Sequence, residues 1–398
     1  MAVSLREEAA AIRDDLVALR RELHAVPELG LDLPRTQARV LAALDGLPLS
    51  VSTGTALSSV TAVLRGGRPG PVVLLRGDMD ALPVTEESGE EVVSAHPGVM
   101  HACGHDLHTA GLVGAARLLC ARRDDLPGDV VFMFQPGEEG WDGASLMIAE
   151  GVLEAAGRPA EAAYGLHVLS SILPAGVVTS RPGPFMAASG SLFVRVVGSG
   201  GHGSRPHNTH DPIPAACEMV TALQTMVTRR FDVFDPVVLT VGTFHAGTRR
   251  NIIPDDAAFE ATVRTFSTAT FARVRAEAVR LCEGIAAAHG LRAEVSCAAE
   301  YPVTVNDPAE YAFLADTVRE LFGPERFVPT PDPFTGSEDF SRVLERVPGA
   351  YAFLGACRSA DPATAPTNHS PRAAFDDRVL ADGAALLAEL AVRRLHRG

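Results

Sequence analysis

The segment Met100-His101-Ala102-Cys103-Gly104-His105-Asp106-Leu107-His108-Thr109 places three imidazoles, a thiol and a carboxylate within ten consecutive positions. Further along, Gln135-Pro136-Gly137-Glu138-Glu139-Gly140 sets two adjacent carboxylates directly after the apolar run Val130-Val131-Phe132-Met133-Phe134. Soft and borderline donors beside paired acids suit a divalent transition metal, with one acid left over to activate water. Cys103 and His105 lie two apart, and Gly104 between them permits the tight bend that would let both reach one ion.

Glu138 and Glu139 are neighbours and cannot point the same way, so one can bind metal while the other faces the water and takes its proton. The end of a buried parallel strand is where ligands gather in open α/β sheets. Asp78 and Asp80 end a second apolar strand, where one could orient a ligating histidine; capping a turn fits that spacing equally well. Taken singly, His167 and His369 read as structural or surface residues, and His24, His96, His289 and His396 have no supporting context. Spacing neither promotes nor excludes His101 and His108.

A chain of 398 residues is too long for one ordinary core, so about two domains are expected. The formal charge is −14 and no long Lys/Arg run occurs, which argues against a nucleic-acid partner. The opening Met1-Ala2-Val3-Ser4-Leu5-Arg6 lacks the pattern of a secretory leader, and no apolar stretch is long enough to cross a bilayer. The expectation is a cytoplasmic protein without membrane contact. Six scattered cysteines without a CxxC pair argue against a disulfide framework or a zinc ribbon. Five of them, all but Cys103, read as small buried apolar residues.

The elements that must position these groups follow from periodicity. Residues 5–44 are helical, with a break at Pro27 and Gly30. Strands at 59–64, 72–75 and 130–134 alternate with helices from His105 and over 144–150, which predicts an α/β fold with a largely parallel sheet flanked by helices. The texture changes near Arg181-Pro182-Gly183-Pro184. Beyond it a strand (191–197), a helix (214–230), two strands (237–243 and 257–266), a helix (271–289) and a strand (292–297) give a β-α-β-β-α-β order, the pattern of a small α+β sandwich. The α/β texture then returns and closes on a helix over 375–395. The expected organisation is a catalytic, metal-binding domain of residues 1–182 and 296–398, interrupted by an inserted domain of residues 183–295.

Ten segments in order carry a resemblance: RRELHAVPELG (Arg20–Gly30), RGDMDALP (Arg76–Pro83), PGVMHACGHDLHTA (Pro97–Ala110), QPGEEGWDGASLMIAEGVLE (Gln135–Glu154), GLHV (Gly165–Val168), GSGGHGSRPH (Gly198–His207), NIIPDDA (Asn251–Ala257), VRTF (Val263–Phe266), GSEDF (Gly336–Phe340) and NHSPRAAFD (Asn368–Asp376). Together they resemble the aminoacylase/carboxypeptidase group of dinuclear metallohydrolases. The nearest branch holds hippurate hydrolases, N-acyl-amino-acid amidohydrolases and indole-acetyl-amino-acid hydrolases.

The resemblance implies that Cys103, His105, Glu139, His167 and His369 hold two divalent ions per subunit, manganese, zinc, nickel or cobalt. It makes Glu138 the general base, and Asp80 an acid that orients a ligand without binding metal. Asp78 stands where the wider group has a ligating histidine, with Cys103 as the compensating ligand. The inserted domain resembles the family's lid, which dimerises. There His202 matches the histidine that polarises the scissile carbonyl, while Asn251, Arg264 and Gly336 match substrate-contacting positions. His210 and His245 gain no role. The implied activity is hydrolysis of an N-acyl amino acid, hippurate-like or N-acetyl, to a carboxylic acid and a free amino acid. The alternative is a dipeptidase or carboxypeptidase using the same metal site.

Overall fold

A computed structural model describes residues 4–397, so Met1, Ala2 and Val3, on which the leader argument begins, lie outside the described residues, as does Gly398. In chain order the elements are α1 (Leu5–Ala11), α2 (Arg13–Ala25), α3 (Pro34–Leu44), β1 (Leu49–Thr53), β2 (Val60–Leu64), β3 (Arg68–Asp78), α4 (His105–Ala121), β4 (Pro127–Gln135), α5 (Gly143–Ala149), β5 (Ala162–Pro174) and β6 (Val178–Thr179). Then come β7 (Ala188–Val197), α6 (Pro212–Arg230), β8 (Val237–Ala246), β9 (Asp256–Thr265), α7 (Thr268–Ala288), β10 (Arg292–Tyr301), α8 (Pro308–Phe322), β11 (Gly349–Cys357) and α9 (Val379–Arg397).

The chain divides into two compact units, one running through Phe185 and resuming over Val305–Asp332 and from Asp339, the other comprising Met186–Thr304 and Pro333–Glu338. The larger unit holds a seven-stranded sheet in the order β1-β2-β4-β3-β5-β11-β6. Its centre, β4-β3-β5-β11, is parallel, and only β2 and β6 run against the common direction. Central strands covered on both faces need apolar residues at every position, which is why the run ending β4 is buried throughout. Helix α4 is buried on almost every side, so it carries Leu, Val and Ala all round rather than an amphipathic stripe. Helix α9 packs on it.

The smaller unit is a four-stranded antiparallel sheet, β8-β9-β7-β10, with α6 and α7. This is the β-α-β-β-α-β order read from periodicity. The strand expected to end at 297 continues as β10 to Tyr301, paired with β7, so the boundary expected after residue 295 falls inside a strand. Gly190 in β7 has a packing reason: a Cβ there would meet Cζ of Phe271 at 2.4 Å and the Ala298 carbonyl oxygen at 2.6 Å.

Three local readings need correction. The first helical stretch has a second break at Ile12, whose backbone (φ −99°, ψ 4°) separates α1 from α2. Helix α9 begins at Val379, because Phe375 is bridged to Cys357. Cys217 is exposed and Cys120 only partly buried, so both depart from the expected buried set.

Phe259 is fully buried at the centre of the smaller unit's sheet. Phe259→Ala is expected to destabilise that unit by about 3–5 kcal/mol, read by urea denaturation. Metal content, measured on the same protein at low temperature, should stay unchanged, since all five expected ligands lie in the other unit.

Candidate metal centre

Each expected ligand comes from a different piece of the larger unit. Cys103 ends a loop and His105 opens α4. Gly104 between them has φ +81°, and a Cβ there would lie 2.5 Å from Cγ2 of Val168 and 3.0 Å from the Phe375 ring. Glycine is therefore required twice over, by its left-handed backbone and by the close approach of β5. Glu138 and Glu139 sit in the turn just past β4, His167 lies in β5, and His369 lies in the loop before α9. His369 has φ +70°, a sparsely populated conformation for a residue with a side chain.

These pieces converge. The Cys103 sulfur lies 3.2 Å from Nε2 of His167 and 3.3 Å from Nε2 of His369. Oε1 of Glu139 lies 3.2 Å from Nε2 of His369 and 4.0 Å from Nε2 of His105. Cys103, His105 and His167 form one set with donor atoms within 4.8 Å of one another; Cys103, Glu139 and His369 form a second, and His105, Glu138 and Glu139 a third. Both ring nitrogens of the fully buried His105 lack a hydrogen-bond partner among the described residues. Buried imidazoles are rarely left so. A donor set of thiol, imidazoles and carboxylate fits a divalent first-row ion.

Residues 74–393 match the sequence profile of Peptidase family M20/M25/M40. The chain belongs to that family. It is 38% identical to thermostable carboxypeptidase 2 of Saccharolobus solfataricus, over 98% of both chains. It is also 38% identical to IAA-amino acid hydrolase ILR1-like 4 of Arabidopsis thaliana, over 96% of this chain and 86% of the relative. The crystal structure of a dinuclear metal-binding M20 peptidase from Bacillus subtilis superposes with a TM-score of 0.83 at 31% identity, covering 97% of this chain and 99% of that one.

In this M20 chain the two aspartates of Asp78-Met79-Asp80 bracket a single imidazole. Oδ1 of Asp80 lies 3.5 Å from Nδ1 of His105, and Oδ2 of Asp78 lies 3.6 Å from Nε2. Asp80 also accepts the backbone N–H groups of Glu138 and Glu139, each at 3.0 Å, so it fixes the acidic turn beside the histidine. Burial disfavours a charged His105, yet the neighbouring Asp78 holds its imidazole well above the ordinary value. Contacts with Cys103 and then Glu139 push His369 up to about 10. His167, buried beside His108 and His105, is held well below the ordinary value. A field that retains protons on two imidazoles also attracts a divalent cation, which competes for the same nitrogens.

Two buried networks behind the site were not found from spacing. Arg76, fully buried, donates to Oδ2 of Asp78 (2.6 Å), Oδ1 of Asp339 (3.0 Å) and Oε1 of Gln135 (3.0 Å). Asp339 accepts in turn from Gln135 and from the backbone N–H of Ala144. The GSEDF segment thus contributes Asp339 as a strut, in addition to the Gly336 that the resemblance implies. His24, expected to have no role, is buried with Nδ1 2.8 Å from Oδ2 of Asp106 and Nε2 3.1 Å from Glu86. Arg20 reaches the same Asp106 oxygen at 2.7 Å. The sequence signal was the helical spacing of Arg20 and His24 on α2, but their partners are 62 and 82 residues away from His24.

The remaining expected residues lie in the smaller unit. His202 is exposed, and its Nδ1 accepts from the backbone N–H of Ser204 at 3.1 Å, which leaves Nε2 to carry the proton in the neutral ring. Asn251 lies beside it, its carbonyl accepting from the N–H of Gly203 at 2.9 Å. Arg264 on β9 donates to Oγ of Ser337 at 2.7 Å, which puts it next to Gly336. At Gly336 a Cβ would make only an ordinary contact, 3.4 Å from Cε of Met186, so this unit alone does not demand glycine there.

Gly104→Ala is expected to cost about 1–3 kcal/mol from the backbone alone and to lower bound metal, checked by urea denaturation and elemental analysis. The His24 pKa is raised to about 9, because burial, which lowers it, is outweighed by Asp106 and then Glu86. Its protonated form therefore stabilises the fold fully below the ordinary value near 6.5, and that contribution disappears as pH rises through about 9. Urea midpoints should fall over that interval, and His24→Gln should be less stable at neutral pH with a shallower alkaline decline.

Proposed function

We propose that the chain is a metal-dependent amidohydrolase that cleaves N-acyl amino acids to a carboxylic acid and a free amino acid. The observation that carries this reading is the convergence of Cys103, His105, Glu139, His167 and His369, with the carboxylate of Glu138 in the same cluster. Divalent ions held there would lower the pKa of water and polarise a carbonyl. We assign the ligand role to those five residues and two ions to each subunit, with manganese, zinc, nickel and cobalt all compatible with thiol, imidazole and carboxylate donors.

Glu138 takes the proton of the attacking water on a carboxylate oxygen and returns it to the leaving nitrogen, so that no free amide anion forms. Its backbone N–H is tied to Asp80, which limits where that carboxylate can sit. His202, protonated on Nε2, donates to the carbonyl oxygen as negative charge develops there. The Arg264 guanidinium grips the free α-carboxylate through two parallel hydrogen bonds, with Asn251 and Gly336 beside the substrate.

The smaller unit acts as a lid and pairs with a second copy. Its edge strand β8 supports this, since it leaves Val238 and Phe244 partly exposed on an unpaired edge. No helix among the described residues is long and apolar enough to cross a membrane, and we place the enzyme in the cytoplasm. The relative named as a carboxypeptidase favours a second reading, cleavage of a C-terminal residue or a dipeptide by the same centre.

The test is a panel of benzoyl-, acetyl- and indole-acetyl-amino acids and dipeptides, assayed with metal-free protein reloaded with each ion. N-acyl amino acids should turn over fastest, and dipeptides being faster would select the second reading. Glu138→Gln should lose at least about 100-fold in kcat while retaining metal; wild-type turnover in that variant would remove Glu138 as the base.

A further inference from the structure

Three of the proposed ligands come from segments far apart in sequence, and one side-chain amide touches the backbone or the neighbours of all three. Oδ1 of Asn368 accepts from the backbone N–H of Ser170 at 2.9 Å, and the Ser170 hydroxyl lies between that oxygen (3.0 Å) and the Pro366 carbonyl (2.9 Å), with one proton for the two. Nδ2 donates to the carbonyl of Val168 at 3.0 Å and to that of Cys103 at 3.2 Å. The orientation of the amide is settled by its neighbours, because a backbone N–H can only donate and a carbonyl can only accept. Both amide protons and the amide oxygen are thus engaged.

Two of these contacts act directly on ligands. The Val168 carbonyl also accepts from Nδ1 of His167 at 2.7 Å, so Asn368 and the His167 ring share one oxygen. That oxygen keeps the His167 proton on Nδ1 and leaves Nε2, 3.2 Å from the Cys103 sulfur, as the donor atom for a metal. The Cys103 carbonyl belongs to the residue that supplies that sulfur. The third ligand, His369, directly follows Asn368, and its φ of +70° is a conformation that persists only where surrounding contacts over-determine it. Its own N–H donates to the carbonyl of Ala102 at 2.9 Å, which closes the loop onto the Cys103 segment from the other side.

We propose that Asn368 is a positioning residue that fixes Cys103, His167 and His369 as one ligand frame before any ion arrives. It acts through the Val168 carbonyl, the Cys103 backbone and the strained turn at His369, and its Nδ2 also lies 3.8 Å from the Cys103 sulfur itself. The proposal rests on the metal-centre reading above and adds to it a cause for the ligands' arrangement.

Asn368→Asp is the discriminating variant. It preserves shape and the acceptor facing Ser170 but sets an oxygen against two carbonyl oxygens. Metal-free wild type and variant are titrated with cobalt(II), following the near-ultraviolet absorption of a cobalt–thiolate bond, with affinity measured by competition against a chromophoric chelator. The variant is expected to bind about 10–100-fold more weakly, with a shifted or weakened thiolate band. A variant with wild-type affinity and an unchanged band overturns the proposal, even if it is less stable, since a merely structural amide would move stability alone. If Asn368→Asp does not fold, Ser170→Ala replaces it, because the hydroxyl ties both the Pro366 carbonyl and the amide to β5 and its loss loosens the Asn368 loop. A smaller shift in the same direction supports the frame, and wild-type affinity and band overturn it. Failure of the wild type itself to take up cobalt would instead refute the metal centre and is distinguished by the absence of any thiolate band.

Discussion

Negative charge buried at the carboxyl ends of the central strands is the constraint from which the rest of the larger unit follows. Asp78, Asp80, Glu138 and Asp339 are all at most 6% exposed. An ionised carboxylate in such a place is strongly destabilising unless it is paired, hydrogen-bonded or bound to a cation. Arg76 neutralises part of this charge from within, holding Asp78 and Asp339 at once. Backbone N–H groups of the acidic turn satisfy Asp80. What is left over falls on His105, and the environment that raises its proton affinity is the environment a divalent ion would occupy.

The parallel centre of the sheet explains why the charge can be gathered at one place. Parallel strands present their carboxyl ends to the same edge, so the residues that follow β3 and β4 emerge side by side. Asp78 pairs in register with Gln135, the last residues of the two strands. Two short excursions past those ends therefore suffice to bring Asp80 against Glu138 and Glu139. Helix α4, which begins at His105, delivers its first imidazole into the same region, and its buried surface leaves it little freedom to shift.

Much of this was legible from sequence because it is local. Apolar runs of β4 length, helical spacing after His105 and a Gly between two donors each declare themselves within about a dozen residues. Spacing alone points to Cys103 with His105 and to one of Glu138 and Glu139, whereas the choice of Glu139, His167, His369 and the role of Asp80 rest on motif resemblance. The unread parts are contacts between distant segments. Arg76 reaches Asp339 and Asn368 reaches Ser170, and no periodicity encodes such pairings. His24 differs from its expected reading for the same reason: a lone histidine on an amphipathic helix looks like surface, and the distant Asp106 and Glu86 make it a buried cation. The error at α9 was of another kind, since Phe375 fits a helical apolar pattern while a bridge to Cys357 holds it outside the helix.

Gly104 and His369, both with positive φ, sit in non-strand segments that bring donors in from outside the sheet. Strand β5 delivers His167 from within the ladder, while the acidic turn leaves the end of β4 through Gly137 (φ +75°) and is held by Asp80. A loop has no such ladder, and it holds a donor only through side-chain contacts or conformational restriction. At Gly104 the restriction is steric, from Val168 and Phe375. At His369 a side chain is present, so the unfavourable backbone must be maintained by bonds, and the neighbouring amide and the Ala102 carbonyl supply them. Both loops close on Val168, one against its side chain and the other through its carbonyl. A single strand residue, itself no donor to a metal, is thus the common reference point for the thiol and for both histidines that flank it.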